Sequence, residues 1–99
     1  MEHISTLNED SFIKNIILSL KYSGVLILGM PSLESQSFAS SHSKKGHINC
    51  KTGLEFKELM GNYFDNVFLF SMNDEVVHTG FSKMAHYLFT VSCGAKKLN

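Results

Sequence analysis

The chain has no arginine, and its nine lysines meet nine acidic residues, so the formal net charge is zero. A phosphate-binding surface needs a basic excess and draws heavily on arginine, so nucleic acid is not expected as a partner. Charge repulsion does not keep copies of the chain apart either. Only two cysteines occur, Cys50 and Cys93, and they form no C-x-x-C pair. Zinc-ribbon and thioredoxin-like sites are thereby removed. No apolar run approaches the roughly 20 residues that span a bilayer, so no membrane span is expected. Glu2, His3, Asn8, Glu9 and Asp10 break up the N-terminal stretch, which does not read as a secretory leader. A reducing cytoplasm with two free thiols is the expected setting. The seven glycines are scattered, with no G-x-G-x-x-G turn for a dinucleotide or nucleoside cofactor.

What is present is a core of modest size. Hydrophobic residues make up 43% of the 99 and charged residues 18%, a globular balance for one domain. Residues 8–23 read as an amphipathic helix, with Phe12, Ile13, Ile16, Ile17 and Leu20 on one face. Thr6 or Asn8 is placed to cap its start and Gly24 to close it. Val25-Leu26-Ile27-Leu28, bounded by Gly24 and Gly29, reads as a strand over 25–29 buried on both faces. Residues 32–51 form a long polar connection. Thr52-Gly53-Leu54-Glu55 is a capping box opening a helix over 53–63. Strands follow over 67–71 and 87–92, and Gly94 to Leu98 and Asn99 read as a solvated tail. The expectation is an α/β domain of three strands and two helices. A helical crossover joins the first two strands, which are therefore parallel, and the last strand is antiparallel.

Chemistry concentrates in Ser71–Phe81. Asn73, Asp74, Glu75 and His78 lie there between the apolar runs Val67–Phe70 and Tyr87–Val91. Functional groups tend to sit on loops held by a rigid scaffold, and α/β sheets bind ligands at the carboxyl ends of parallel strands. Asp74 and His78 are the acid/base candidates, and Asn73 and Glu75 the substrate-binding ones. The plain alternative is a solvated turn, which asparagine and aspartate favour. Glu75-x-x-His78 has the spacing of a helical di-iron ligand pair. Val76-Val77 disfavours a helix there and no second pair exists, so no metal ligand set is expected. His47, as a general base, and Asn49, as a substrate contact, fall on the loop over the same edge. Ser41-His42-Ser43 has no G-x-S-x-G elbow to make a nucleophile.

The run Leu20-Lys21-Tyr22-Ser23-Gly24-Val25-Leu26-Ile27-Leu28-Gly29-Met30-Pro31 resembles the fifth-strand region of class I S-adenosylmethionine-dependent methyltransferases. The resemblance continues through Gly46-His47-Ile48-Asn49 and Thr52 into an aromatic strand pair. Met1-Glu2-His3-Ile4 is similar to the end of the motif after that family's fourth strand. It implies the C-terminal half of a Rossmann-like methyltransferase fold, with the last strand inserted antiparallel between the other two. It further implies S-adenosylmethionine as cofactor, with Glu2 and His3 near donor and acceptor. The Gly-rich turn and the acidic residue that hold the donor in that family have no counterpart here. The chain is therefore expected to act as a truncated or split methyltransferase, inactive alone. Its open edge at strand 25–29 is expected to pair with a complementing N-terminal half or with another copy. The competing expectation is a non-catalytic remnant or interaction module.

Overall fold

The computed structural model describes residues 1–97. Helix α1 (Glu9–Ser19) forms because its apolar residues recur on one face, where Ile13 and Ile17 are buried. Glu9 and Asp10 in its first turn complement the positive end of the helix dipole. The helix stops four residues short of the expected 23, because Leu20 turns extended (ψ 143°) and its N–H returns to the Ile17 carbonyl. Asn8 occupies the N-cap position without capping; its amide donates to Ser5 Oγ instead. A turn closed by Gly24 N–H to the Lys21 carbonyl, 2.8 Å, leads into strand β1 (Val25–Pro31).

The long connection after β1 is folded. It contains a short 3-10 helix (Glu34–Phe38) and helix α2 (Ser41–Gly46), and returns to β1 through a parallel bridge between Ser32 and Lys51. Helix α3 (Gly53–Gly61) starts on the capping box. Thr52 Oγ1 accepts from the Glu55 N–H at 3.2 Å, and Glu55 Oε1 accepts from the Thr52 N–H at 3.0 Å. Strand β2 (Phe64–Asn73) turns through Asp74 and Glu75 into strand β3 (Val76–His78). A second 3-10 helix (Ser82–Met84) precedes strand β4 (Tyr87–Ala95).

The result is a small α/β fold on one four-stranded sheet of order β1-β4-β2-β3, antiparallel at every neighbouring pair. Because β1 and β2 both oppose β4, they run parallel to each other without touching. Three strands were expected, and the fourth arises at the hairpin. Asp74 takes φ 53°, a left-handed conformation that aspartate tolerates, and so closes a two-residue loop between Asn73 and Val76. The tail expected from Gly94 is also shorter. β4 continues to Ala95, and Lys96 donates from N–H to the Tyr63 carbonyl and from Nζ to that of Gly61. Leu98 and Asn99 lie outside the described residues.

The core lies on one face of the sheet. Ile13 and Ile17 from α1 and Phe56 and Met60 from α3 meet Met30, Phe64 and Leu88. Burial on both faces of β1 is not what the structure has: Val25 is exposed, and Ile27 is 67% exposed. Both long helices feed the same core, so the alternate face stays bare. There Phe68 is 55% exposed, and the Phe70 and Phe89 rings stack across the β2–β4 ladder at 5.3 Å. On this face Tyr87 lies across Gly29, where a Cβ would sit 2.6 Å from the ring. Among the described residues no helix is long and apolar enough to cross a membrane.

Two outcomes test these contacts. Thr52→Ala should lower unfolding free energy by about 1 kcal/mol in a denaturant titration, as loss of an N-cap does. Tyr63 Oη donates to Asp10 Oδ1 at 2.5 Å, tying α3's end to α1. Burial, that bond, and the charges of Asp10 and Glu9 push the Tyr63 hydroxyl up to about 12. A raised folded value means stability that is complete below the ordinary tyrosine range and is lost as pH rises through about 12. Alkaline absorbance titration should show a late tyrosinate step near 12 that Tyr63→Phe removes. A wild-type chain that stays folded while every tyrosine ionises near 10 would contradict the pairing.

Candidate functional site

The carboxyl ends of β1 and β2 lie at one end of the sheet, with the start of β4 between them: Pro31 faces Tyr87, and Tyr87 faces Met72. Two groups of sequence-predicted residues collect there, on β1's side and on β2's. They stand two strand spacings apart, about 10 Å.

On β2's side the hairpin holds Asn73, Asp74, Glu75 and His78. His78 Nδ1 accepts from the Gly80 N–H at 3.1 Å, so the neutral ring carries its proton on Nε2 and donates to Asn73 Oδ1 at 2.9 Å. The Asn73 amide donates to the Met84 carbonyl at 3.1 Å. Both His78 nitrogens and both ends of the Asn73 amide are thus spent on the hairpin and the 3-10 turn beside it. Asp74 and Glu75 are exposed at the turn. Glu75 and His78 share a hairpin arm and not a helix, so the i, i+3 ligand spacing does not bring them together.

On β1's side the residues from 47 to 51 run against the N-terminal segment. Asn49 is buried: its N–H donates to the Glu2 carbonyl at 3.0 Å and its Nδ2 to Glu9 Oε2 at 2.7 Å. Lys51 Nζ meets the same Glu9 oxygen at 2.9 Å. Asn49 therefore clamps the start of α1 and the N-terminal segment to the loop, and its side chain is taken up by the scaffold.

That clamp brings Glu2, His3 and His47 together. One ligand-type atom from each lies within 4.8 Å of the others. The His3 and His47 rings meet edge to face at 5.0 Å, and His3 Nε2 stands 3.6 Å from Glu2 Oε1. His3 Nδ1 donates to the Gly46 carbonyl at 2.6 Å, and His47 Nδ1 pairs with Gln36 Oε1 at 3.0 Å. Burial pushes the Glu2 carboxyl up. Its own backbone N–H, the Met1 ammonium and His3 outweigh burial and hold it below the usual carboxylate range. Burial and the Glu2 charge push the Cys50 thiol up, so Cys50 is not an activated nucleophile. The same two causes raise Tyr87.

A cavity of about 270 Å³ lies on the same end of the sheet, just under the usual size of a small-molecule site. It is lined by Glu34, Ser35, Phe38, Lys83, Met84, Ala85 and His86. Ser32 ties two of these lining residues together: its buried Oγ donates to the Ala85 carbonyl at 2.6 Å and accepts from the Ser35 N–H at 3.1 Å. Glu34 Oε1 is buried without a hydrogen-bond partner. None of these lining residues was expected from the sequence to bind a ligand. They join a 3-10 turn after β1 to one before β4, some fifty positions apart in chain order, and no local spacing signals that meeting.

No family model, curated protein or solved structure matches the chain. The reading of function rests on the residues themselves.

If the hairpin bonds are structural, Asn73→Ala and His78→Ala should each cost about 1 kcal/mol. The double variant should cost clearly less than their sum, because the pair shares one hydrogen bond. Additive losses in chemical denaturation would count against the shared bond.

Proposed function

We propose that this chain is the acceptor-side, C-terminal half of a Rossmann-like, S-adenosylmethionine-dependent methyltransferase domain. The observation that carries the reading is the strand arrangement. Two mutually parallel strands, each followed by ligand-edge chemistry, are separated by a last strand running against both. That order agrees with the one implied by the resemblance of Leu20–Pro31 and Gly46–Asn49 to that family. The cavity between the two 3-10 turns supports an acceptor site, with Glu34, Phe38 and His86 as the proposed contacts.

Methyl transfer is mostly positioning: the sulfonium methyl and the accepting atom are held in line, and a base takes the proton of an O–H or N–H nucleophile. Of the acid/base candidates, His47 is favoured. His78 has both nitrogens bonded within the hairpin, and Asp74 sits exposed on its turn. Asn73 and Glu75 border the β2 side of the edge. Glu2 and His3 stand where the donor approaches.

The donor half is supplied by a complementing N-terminal segment that covers β1's open edge and the bare sheet face. The apolar side chains bare on that face, Ile27 and Phe68 among them, support a covering partner. The assembled protein works in the cytoplasm, where Cys50 and Cys93 stay as free thiols.

Calorimetry with S-adenosylmethionine tests the reading. The chain alone should show no binding or only very weak binding. The chain joined to, or coexpressed with, a Gly-rich donor-binding half should bind at micromolar concentration. Micromolar binding by the chain alone would overturn the two-part reading. No binding by the joined protein would overturn the methyltransferase reading. A stable dimer of this chain that buries the bare face would make the occupant a second copy and favour the interaction-module alternative.

A further inference from the structure

We infer that Glu2, His3 and His47 form a binding site for a divalent transition-metal ion of the zinc type. The inference does not depend on the methyltransferase reading; it gives the free His47 nitrogen a cation in place of a proton.

The hydrogen bonds around the cluster decide which ring nitrogens carry a proton. The Gly46 carbonyl can only accept, so His3 Nδ1 carries the proton in that 2.6 Å bond. Gln36 Oε1 can likewise only accept, so His47 Nδ1 carries its proton too. In each neutral ring Nε2 is then a bare lone pair. Glu2 directs Oε2 to the Met1 ammonium at 3.1 Å and leaves Oε1 toward His3 Nε2. In the neutral form His3 Nε2 and Glu2 Oε1, 3.6 Å apart, are both acceptors, and a ligand-type atom of His47 lies within 4.8 Å of one from each of them. A positive centre satisfies that cluster: a proton on His3, paired with Glu2, or a cation that displaces it and draws in His47 as well.

The donor set suits such a centre. Two imidazoles and one carboxylate are a known ligand set of zinc sites that keep a fourth position open. Both imidazoles hold their outer N–H on an oxygen, which fixes tautomer and ring orientation as metal-bound histidines require. The distances are close to those needed. Ligands about 2.1 Å from zinc in a tetrahedron are about 3.4 Å apart, and His3 Nε2 to Glu2 Oε1 is 3.6 Å. The three ligand-type atoms lie within 4.8 Å of one another, so small side-chain shifts close the site. The scaffold under the site is firm. Glu2 is held through its carbonyl by buried Asn49, and His47 through Gln36 by the 3-10 turn after β1.

The probe is Zn²⁺ alone, titrated calorimetrically into the full chain at neutral pH, with far-UV circular dichroism to confirm that every variant folds. One ion per chain is expected. His3→Ala changes an exposed side chain and should leave the fold intact. It should weaken binding about tenfold or more, as should His47→Ala and Glu2→Gln. Gln36→Ala removes no ligand, only the bond that orients His47, and should weaken binding up to about tenfold. Cys50→Ser should leave affinity unchanged. Failure of the folded wild-type chain to bind Zn²⁺ would overturn the site. So would binding that survives both His3→Ala and His47→Ala, or binding lost in Cys50→Ser, which would assign the ion to the thiol.

Discussion

Everything in this fold depends on the two ladders of β4. Its residues pair with β1 from Pro31 back to Val25 and, at the same time, with β2 from Met72 back to Phe64. β1 and β2 have no other means of joining one sheet, and the helices that precede them have no other common floor. The inward row of β4 is Leu88, Thr90 and Ser92, each fully buried. Thr90 Oγ1 and Ser92 Oγ are buried without partners, a desolvation cost of about 1–3 kcal/mol for each such group. Small side chains there let the core lie close against the middle of the sheet.

The candidate site is a by-product of that floor. β4 separates the ends of β1 and β2, and so separates the histidine–glutamate cluster from the Asn73–His78 hairpin. Ser32 then draws the turn after β1 onto the turn before β4 and closes the cavity between them. The two groups differ in kind. The hairpin uses its polar atoms internally, as a rigid turn does. The cluster on β1's side uses one nitrogen of each histidine for support, and His3 turns its other nitrogen toward Glu2.

The parts of this arrangement that rest on near neighbours were legible in the sequence. The Thr52–Glu55 box, the apolar face of α1 and the strand-forming runs depend on spacings of two to four residues. What was not legible depends on choices made elsewhere. Periodicity shows that β1 is apolar on both faces, but not that α1 and α3 both cover the same one. The Ser71–Phe81 segment reads as chemically rich, but the bonds that engage Asn73 and His78 follow from a left-handed Asp74, a backbone state that composition does not announce. Glu2 and His3 meet His47 only because Asn49 reaches back across forty residues to Glu9. His47 and Asn49 look equivalent in sequence, two polar residues on one loop. Asn49 is buried on Glu9 and the Glu2 carbonyl, while His47 stays half-buried against Gln36.

The position of β4 in chain order has a consequence for synthesis. As the chain leaves the ribosome, α1, β1, α3 and β2 all emerge before the strand that unites them. Until residues 87–95 are free, β1 and β2 have unpaired backbone on both sides, and Val25, Ile27, Phe68 and Phe70 stand in water on the face that stays bare afterwards. Only the β2–β3 hairpin can pair locally in that interval. Folding therefore waits on the last strand, and the nascent chain offers sticky edges for as long as translation takes. A chaperone that masks extended apolar segments would act on this protein before β4 appears, and slow translation between the codons for β2 and β4 would lengthen the exposure.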